Sequence, residues 1–151
     1  MAFPETRGAT EKLSNCGFCE IAEGTGESIP IVKRDRAFSI MSLGDGHPLI
    51  IPNAHFEDLG NQGRDEDQDA ALVLARKLFP DVRSTFRDLK GATGIRLLIN
   101  EGSLQHVPHF HIHLQPHIGS GKEASPIIIP TAEEKVSIAG EIRQRFMARN
   151  Y

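Results

Sequence analysis

The sequence predicts a single α+β domain, and three observations carry that expectation. Apolar, strand-like segments fall into two groups, one before residue 55 and one after residue 94. Between the groups the apolar residues change to a helical step, and a second helical stretch closes the chain. Strands grouped on either side of one helix favour an α+β arrangement over strands alternating with helices. The length agrees: 151 residues suit one domain, and a 39% hydrophobic content is enough for a core. No internal repeat and no low-complexity segment interrupts it.

Each element follows from the local residues. The first dozen or so residues are mostly polar and are expected to form a mobile tail at about 1–12. Cys16-Gly17-Phe18-Cys19 leads into Glu20-Ile21-Ala22-Glu23, enough for one or two helical turns before Gly24-Thr25-Gly26 breaks them. Residues 29–34 and 36–41 carry strand-like apolar content around a turn at 33–35, and Gly44-Asp45-Gly46 turns the chain into a third strand at 47–52. From Asp65 the apolar residues Leu72, Ala75, Leu78, Phe79, Val82, Phe86 and Leu89 recur at helical spacing. Asp65, Glu66, Asp67 and Asp69 suit the positive end of that helix dipole. Pro80 lacks an N–H and crowds the preceding turn, so a kink or a break into two helices is expected there. After Gly91 and Gly94, residues 95–100 and 107–116 read as two more strands. Val136, Ala139, Ile142 and Phe146 mark a helix at about 131–148, with Thr131 as N-cap and Glu134 completing a capping box.

Charge and composition exclude several classes. Seventeen Lys plus Arg stand against 20 Asp plus Glu, a net charge of -3 with no block of like charge. Such a chain is a poor general binder of DNA, RNA or anionic membrane. The longest apolar runs, Leu49-Ile50-Ile51 and Ile127-Ile128-Ile129, cannot span a bilayer. Residues 1–13 lack the apolar middle of a secretory signal, so a cytoplasmic location is expected. Two cysteines cannot build a disulfide framework. Their CxxC spacing admits three readings: half of a tetrahedral zinc site completed by histidines, two unrelated buried thiols, or a redox pair. The redox reading wants an apolar strand ahead of the motif, and Glu11-Lys12-Leu13-Ser14-Asn15 is not one.

Histidine carries the chemistry. Five of the seven histidines, His106, His109, His111, His113 and His117, fall within twelve residues; His47 and His55 are the others. In His109-Phe110-His111-Ile112-His113-Leu114, strand alternation would turn three imidazoles to one face and three apolar side chains to the other. Alternate residues rise about 6.6 Å apart, so the outer pair would lie roughly 13 Å apart and could not share a metal from a straight strand. A neutral imidazole flanked by two others can instead attack a phosphorus or acyl centre while its neighbours donate to the developing charge. His111, the residue flanked on both sides, is the natural nucleophile. His117 lies one residue past Pro116 and is expected beyond the strand and exposed.

The segment from Gln105 to Pro116 resembles the signature of the histidine triad (HIT) superfamily, His-φ-His-φ-His-φ-φ with φ apolar; Gln115 replaces the last apolar position. Gly46-His47-Pro48-Leu49-Ile50-Ile51-Pro52-Asn53-Ala54-His55 resembles the family's Gly-His-x-Leu-Val-Ile-Pro-x-x-His segment, and Asn100-Glu101-Gly102 its Asn-Glu-Gly. The exit from the triad and the added C-terminal helix look more like bacterial Fhit-like hydrolases than Hint-like phosphoramidases. The resemblance implies a homodimeric unit on an antiparallel sheet of about five strands, binding a purine nucleotide or nucleotide conjugate. It implies hydrolysis of a dinucleoside polyphosphate or an adenylyl phosphoramidate through a nucleotidyl-histidine. His111 would be the nucleophile, His113 and His109 its triad partners, and His47 the residue that orients the array. Asn100 would hold the ribose or phosphate side, with Gln105, His106 and the backbone near Val107 along the phosphate path. His106 stands where many members carry Ser or Thr, and Ser42 falls near the position of the family's ribose-gripping Asp. Structural zinc on Cys16, Cys19, His55 and His109 is implied by the same resemblance, with Mg²⁺ accompanying the nucleotide as a further metal. A nucleotide-binding protein with little turnover is the alternative. A cupin-like metal enzyme is a third reading, which the long helical stripe opposes.

Overall fold

The computed structural model describes residues 16–60 and 65–150; the tail expected at about 1–12 lies outside the described residues. The elements run α1 (Gly17–Glu23), β1 (Ile29–Lys33), β2 (Ala37–Met41), β3 (Pro48–Pro52), α2 (Asp65–Lys90), β4 (Gly94–Ile99), β5 (Ile112–Ile118), β6 (Ser125–Pro126) and α3 (Ala132–Asn150). The strands form one antiparallel sheet in the order β1-β2-β3-β5-β4, with the two-residue β6 paired to the far end of β5. The α+β arrangement is thus as the sequence predicts, with β6 added to the five expected strands.

The central strands are covered on both faces, and their period-two alternation divides the core. Ala37, Met41 and Ile50 join Leu74, Leu78, Val82 and Phe86 of α2 and Ile138, Ile142 and Phe146 of α3 in the larger apolar cluster. Phe38, Ile40, Leu49 and Ile51 point the other way, into a smaller cluster with Cys16, Phe18 and Cys19. Every residue of β2 and β3 is therefore buried. Each fully covered Phe, Leu or Ile contributes about 1.5–3 kcal/mol. Phe110, Ile112 and Leu114 fall in the larger cluster, which leaves the intervening histidines to the α1 side.

Four local expectations need correction. Pro80 does not break α2, which is helical from Asp65 to Lys90. The carbonyl it leaves without a donor belongs to Arg76, on the exposed side, while buried Leu78, Val82 and Phe86 hold the turns around it. The buried stripe of α2 is Ala71, Leu74, Ala75, Leu78, Val82 and Phe86; Leu72 and Leu89 are exposed. On α3, Lys135 and Ile138 are buried and Val136 is exposed, although Thr131 caps as expected by accepting the Glu134 N–H at 3.1 Å. Finally, β5 begins at Ile112, five residues later than expected, and runs on to Ile118. His117 consequently lies inside the sheet opposite Gly94 and Pro126, and is buried rather than exposed.

Candidate active site and metal centre

Five histidines collect on the α1 side of the sheet, His47 and His55 from the ends of β3 and His109, His111 and His113 from the stretch entering β5. Leu49 of β3 pairs with His113 of β5, so His47, two residues before Leu49, comes within reach of the triad. His47 Nε2 lies 2.8 Å from His113 Nδ1, and the His113 ring stands 4.8 Å from that of His111, centroid to centroid. His113 Nε2 is buried and has no hydrogen-bond partner among the described residues.

Backbone carbonyls decide the tautomers. A carbonyl only accepts, so His111 Nδ1, 2.7 Å from the His109 carbonyl, carries the ring proton and donates it. The neutral ring then keeps its lone pair on Nε2. His109 is arranged in the opposite sense: its Nε2 donates to the Pro52 carbonyl at 2.9 Å and leaves Nδ1 as the lone-pair nitrogen. That Nδ1 faces Cys16 Sγ at 3.4 Å, Cys19 Sγ at 3.5 Å and His55 Nδ1 at 3.2 Å, and Cys19 Sγ lies 3.3 Å from His55 Nδ1. The four donor atoms all lie within 4.8 Å of one another and all four residues are buried. This cluster could hold a metal ion. Two soft thiolates with two imidazoles, one oriented by a carbonyl behind it, make a chemically suitable tetrahedral set. The grouping removes the reading of two unrelated buried thiols. No carboxylate-rich counterpart that would take Mg²⁺ is present among the described residues.

Burial keeps the array neutral. It is the main cause lowering His47 and His111, with His111 opposing charge on His47, the Asp45 carboxylate pulling the other way, and His106 adding to the lowering at His111. His113 is lowered furthest, to about 4, by burial and then by His111, His47 and His106. Burial thus favours the neutral form of all three imidazoles, the form a nucleophile requires, although the His109 carbonyl bonded to His111 Nδ1 pulls that ring the other way.

The remaining expected site residues divide. Asn100 follows the last rung of the β4–β5 ladder, Ile99 opposite Ile112, so it lies across from His111 on the histidine face. His106 is exposed and close enough to influence both His111 and His113. With Val107, Pro108, His55, Glu57, Cys16 and Gly17 it lines a cavity of about 340 Å³ beside the cysteine–histidine cluster. Gln105 is held by donating its Nε2–H to the Glu57 carbonyl at 2.6 Å. Ser42, expected near the ribose, is half-buried and tied to its own turn: its hydroxyl accepts the N–H groups of Gly46 at 2.9 Å and His47 at 3.2 Å. His109 offers the array its carbonyl while its ring belongs to the metal cluster. Sequence reasoning missed Phe18, whose ring meets His111 edge-on at 5.1 Å and His109 at 5.7 Å. Its place between the two cysteines was the available signal.

Fold and site together define a protein built on an antiparallel sheet, with an imidazole array beside a Cys2His2 cluster. A family model described as HIT domain matches residues 36–118, and the chain belongs to that family, the histidine triad proteins. It is 32% identical over 114 residues to an uncharacterized HIT-like protein of Mycoplasma genitalium, covering 72% of this chain and 77% of that one. It is 27% identical over 108 residues to an adenylylsulfatase of Arabidopsis thaliana, covering 68% of this chain and 52% of that one. Among solved structures, a zinc-bound histidine triad family protein from Mycobacterium smegmatis shares the fold, with a TM-score of 0.72, 24% identity, and coverage of 90% of this chain and 98% of that one. Membership places the chain in a family of nucleotide hydrolases and transferases. No helix among the described residues is long and apolar enough to cross a membrane.

Proposed function

We propose that the chain is a nucleotidyl hydrolase acting on a nucleoside 5′-phosphate derivative, a dinucleoside polyphosphate or an adenylyl phosphoramidate, with His111 as nucleophile. The observation that carries this reading is the 2.7 Å bond from His111 Nδ1 to the His109 carbonyl, which places the ring hydrogen on Nδ1 and so leaves Nε2 as the lone-pair nitrogen of the neutral ring. Nε2 attacks the α-phosphorus, forming a P–N bond as the bond from phosphorus to the leaving group breaks; the leaving group takes a proton from His106 or from water. Water then attacks the same phosphorus, its proton passes to solvent, and the P–N bond breaks to release the nucleoside monophosphate and neutral His111. His113, with an unsatisfied Nε2, supplies a donor for a non-bridging oxygen. Asn100, across from His111, contacts the ribose or phosphate side, and Gln105 and Val107 border the phosphate path.

Cys16, Cys19, His55 and His109 would hold zinc, closing all four positions so that the ion is structural. The outer edge of β4 has no strand partner among the described residues, and Leu97 and Ile99 on it are exposed beside Leu72 and Phe79 of α2, around an apolar cavity of about 430 Å³. A second copy would cover this edge, making the protein a homodimer. The fate of Ser42 favours a second reading, a nucleotide-binding protein with little turnover, because the ribose loses an expected partner.

Intact-protein mass spectrometry after rapid, acid-free quenching with an adenylylated substrate separates the two readings. A transient AMP adduct present in the wild type and missing in His111→Ala supports the hydrolase. Nucleotide binding without adduct or AMP release sinks it and leaves the binding protein.

A further inference from the structure

His47 is carried by a tight turn, and that turn is pinned from two directions. Within it, the Ser42 hydroxyl oxygen accepts the N–H groups of Gly46 and His47 and lies 3.5 Å from His47 Nδ1. From outside, the Ile129 N–H donates to the Asp45 carbonyl at 2.8 Å, and Lys135 Nζ on α3 donates to the Leu43 carbonyl at 2.9 Å. Lys135 is 7% exposed and forms no ion pair among the described residues. A helix lysine ordinarily carries its ammonium out to water, and a buried one is unfavourable unless its N–H groups are met. Gly46, at φ +82°, leaves no slack: a Cβ there would lie 2.7 Å from Ile129 Cβ and 3.2 Å from Lys135 Cε. Ile129 and Lys135 both fall outside residues 36–118, the part matched by the family model.

We infer that Lys135 and Ser42 are positioning residues for the imidazole array: Lys135 clamps the 42–47 turn to α3, and Ser42 sets which nitrogens of His47 and His113 carry hydrogen. Both lone pairs of the Ser42 oxygen are taken by backbone N–H groups, so its own hydrogen is directed to His47 Nδ1. Neutral His47 then carries its hydrogen on Nε2 and donates it across the 2.8 Å contact to His113 Nδ1. His113 is left with hydrogen on Nε2, the atom without a partner among the described residues. The chain of bonds therefore ends in a buried donor beside the His111 ring, which in the proposed reaction would serve the group attached there. That use rests on the hydrolase reading; the polarity of the bonds does not.

Long-range ¹H–¹⁵N spectra of the labelled full-length protein at pH 7.5 test the polarity without substrate. His47 and His113 are expected as Nε2–H tautomers, and finding either as Nδ1–H overturns the inference whatever any variant does. Ser42→Ala and Lys135→Met are expected to convert the His47 and His113 signals to tautomer mixtures, whereas Ser42→Thr, which keeps the hydroxyl, retains the wild-type pattern. Lys135→Met is expected to lower kcat on an adenylylated substrate about tenfold with KM changed less than about twofold. Unchanged histidine spectra in both Ser42→Ala and Lys135→Met overturn the positioning role. If the spectra respond as expected while the wild type forms no AMP adduct, the positioning role stands and the hydrolase reading fails.

Discussion

His109 and His111 are two residues apart, both buried, both on the α1 side of the sheet, yet they are arranged for opposite tasks. His109 gives its Nε2–H to the Pro52 carbonyl and turns Nδ1 into a closed cluster of two thiols and another imidazole. His111 gives its Nδ1–H to the His109 carbonyl and keeps Nε2 for an incoming group. The difference teaches that the identity of an imidazole here is set by which of its nitrogens is tied to a carbonyl. Burial, which the two share, does not choose a ring's reactive atom. His109 also serves both regions, as a metal-type donor through its ring and as the orienting acceptor for His111 through its main chain.

The comparison breaks most sharply at His111. His111→Ala is expected to lower nucleotide hydrolysis more than about a thousandfold while bound zinc, measured by atomic emission, stays at the wild-type level. Equal loss of zinc and activity would erase the division between the two histidines. Cys19→Ala probes the other side: zinc content should fall, with a drop in Tm of about 10 °C corresponding to about 4 kcal/mol of lost binding free energy. An unchanged Tm at full zinc loss would remove the structural role.

Smaller effects sharpen the picture. His113, held at about 4 in the fold against an ordinary value near 6.5, binds more protons unfolded than folded between those limits. Its contribution to stability is therefore fully present above pH 6.5 and is lost as the pH falls towards 4. Urea midpoints from pH 8 to 4.5 should decline less steeply in His113→Gln, a difference of about 1 kcal/mol after solvent screening. Parallel curves would show that His113 is not held neutral by the fold. At the sheet edge, Leu97→Glu should convert a dimer to a monomer by light scattering, with less than about 0.5 kcal/mol change in the protomer because Leu97 is half exposed. A wild type already monomeric would end the homodimer proposal.

Much of this was legible in the residues. The alternation of histidine with Phe110, Ile112 and Leu114 foretold a strand-like stretch with an apolar side, and those three residues do enter the main core. The CxxC pair foretold the cluster once His55 and His109 were set beside it by the family resemblance. What stayed hidden was the work of main-chain carbonyls. Pro52, His109 and Leu43 each orient or anchor a functional side chain through C=O, a group every residue owns and no sequence pattern marks. The buried Lys135 was hidden for a related reason, since a lysine in an amphipathic helix reads as solvent-facing until a carbonyl is found above it. On α2 the error was one of phase: Leu72 and Phe79 share a helical step with the core residues, but they face β4 and its open edge rather than the centre.

The metal cluster also has a history in time. Its ligands are drawn from positions 16, 19, 55 and 109, and the Cys16–His109 contact joins residues 93 apart in sequence. An unfolded chain can offer an ion only the two nearby thiols, because the imidazoles arrive once the segments flanking β3 and β5 are side by side. Contacts between such distant residues form after local structure, since the intervening loop must close first. An ion bound there would be a latch set at the end of folding, fastening α1 and Phe18 over an array whose sheet is already built.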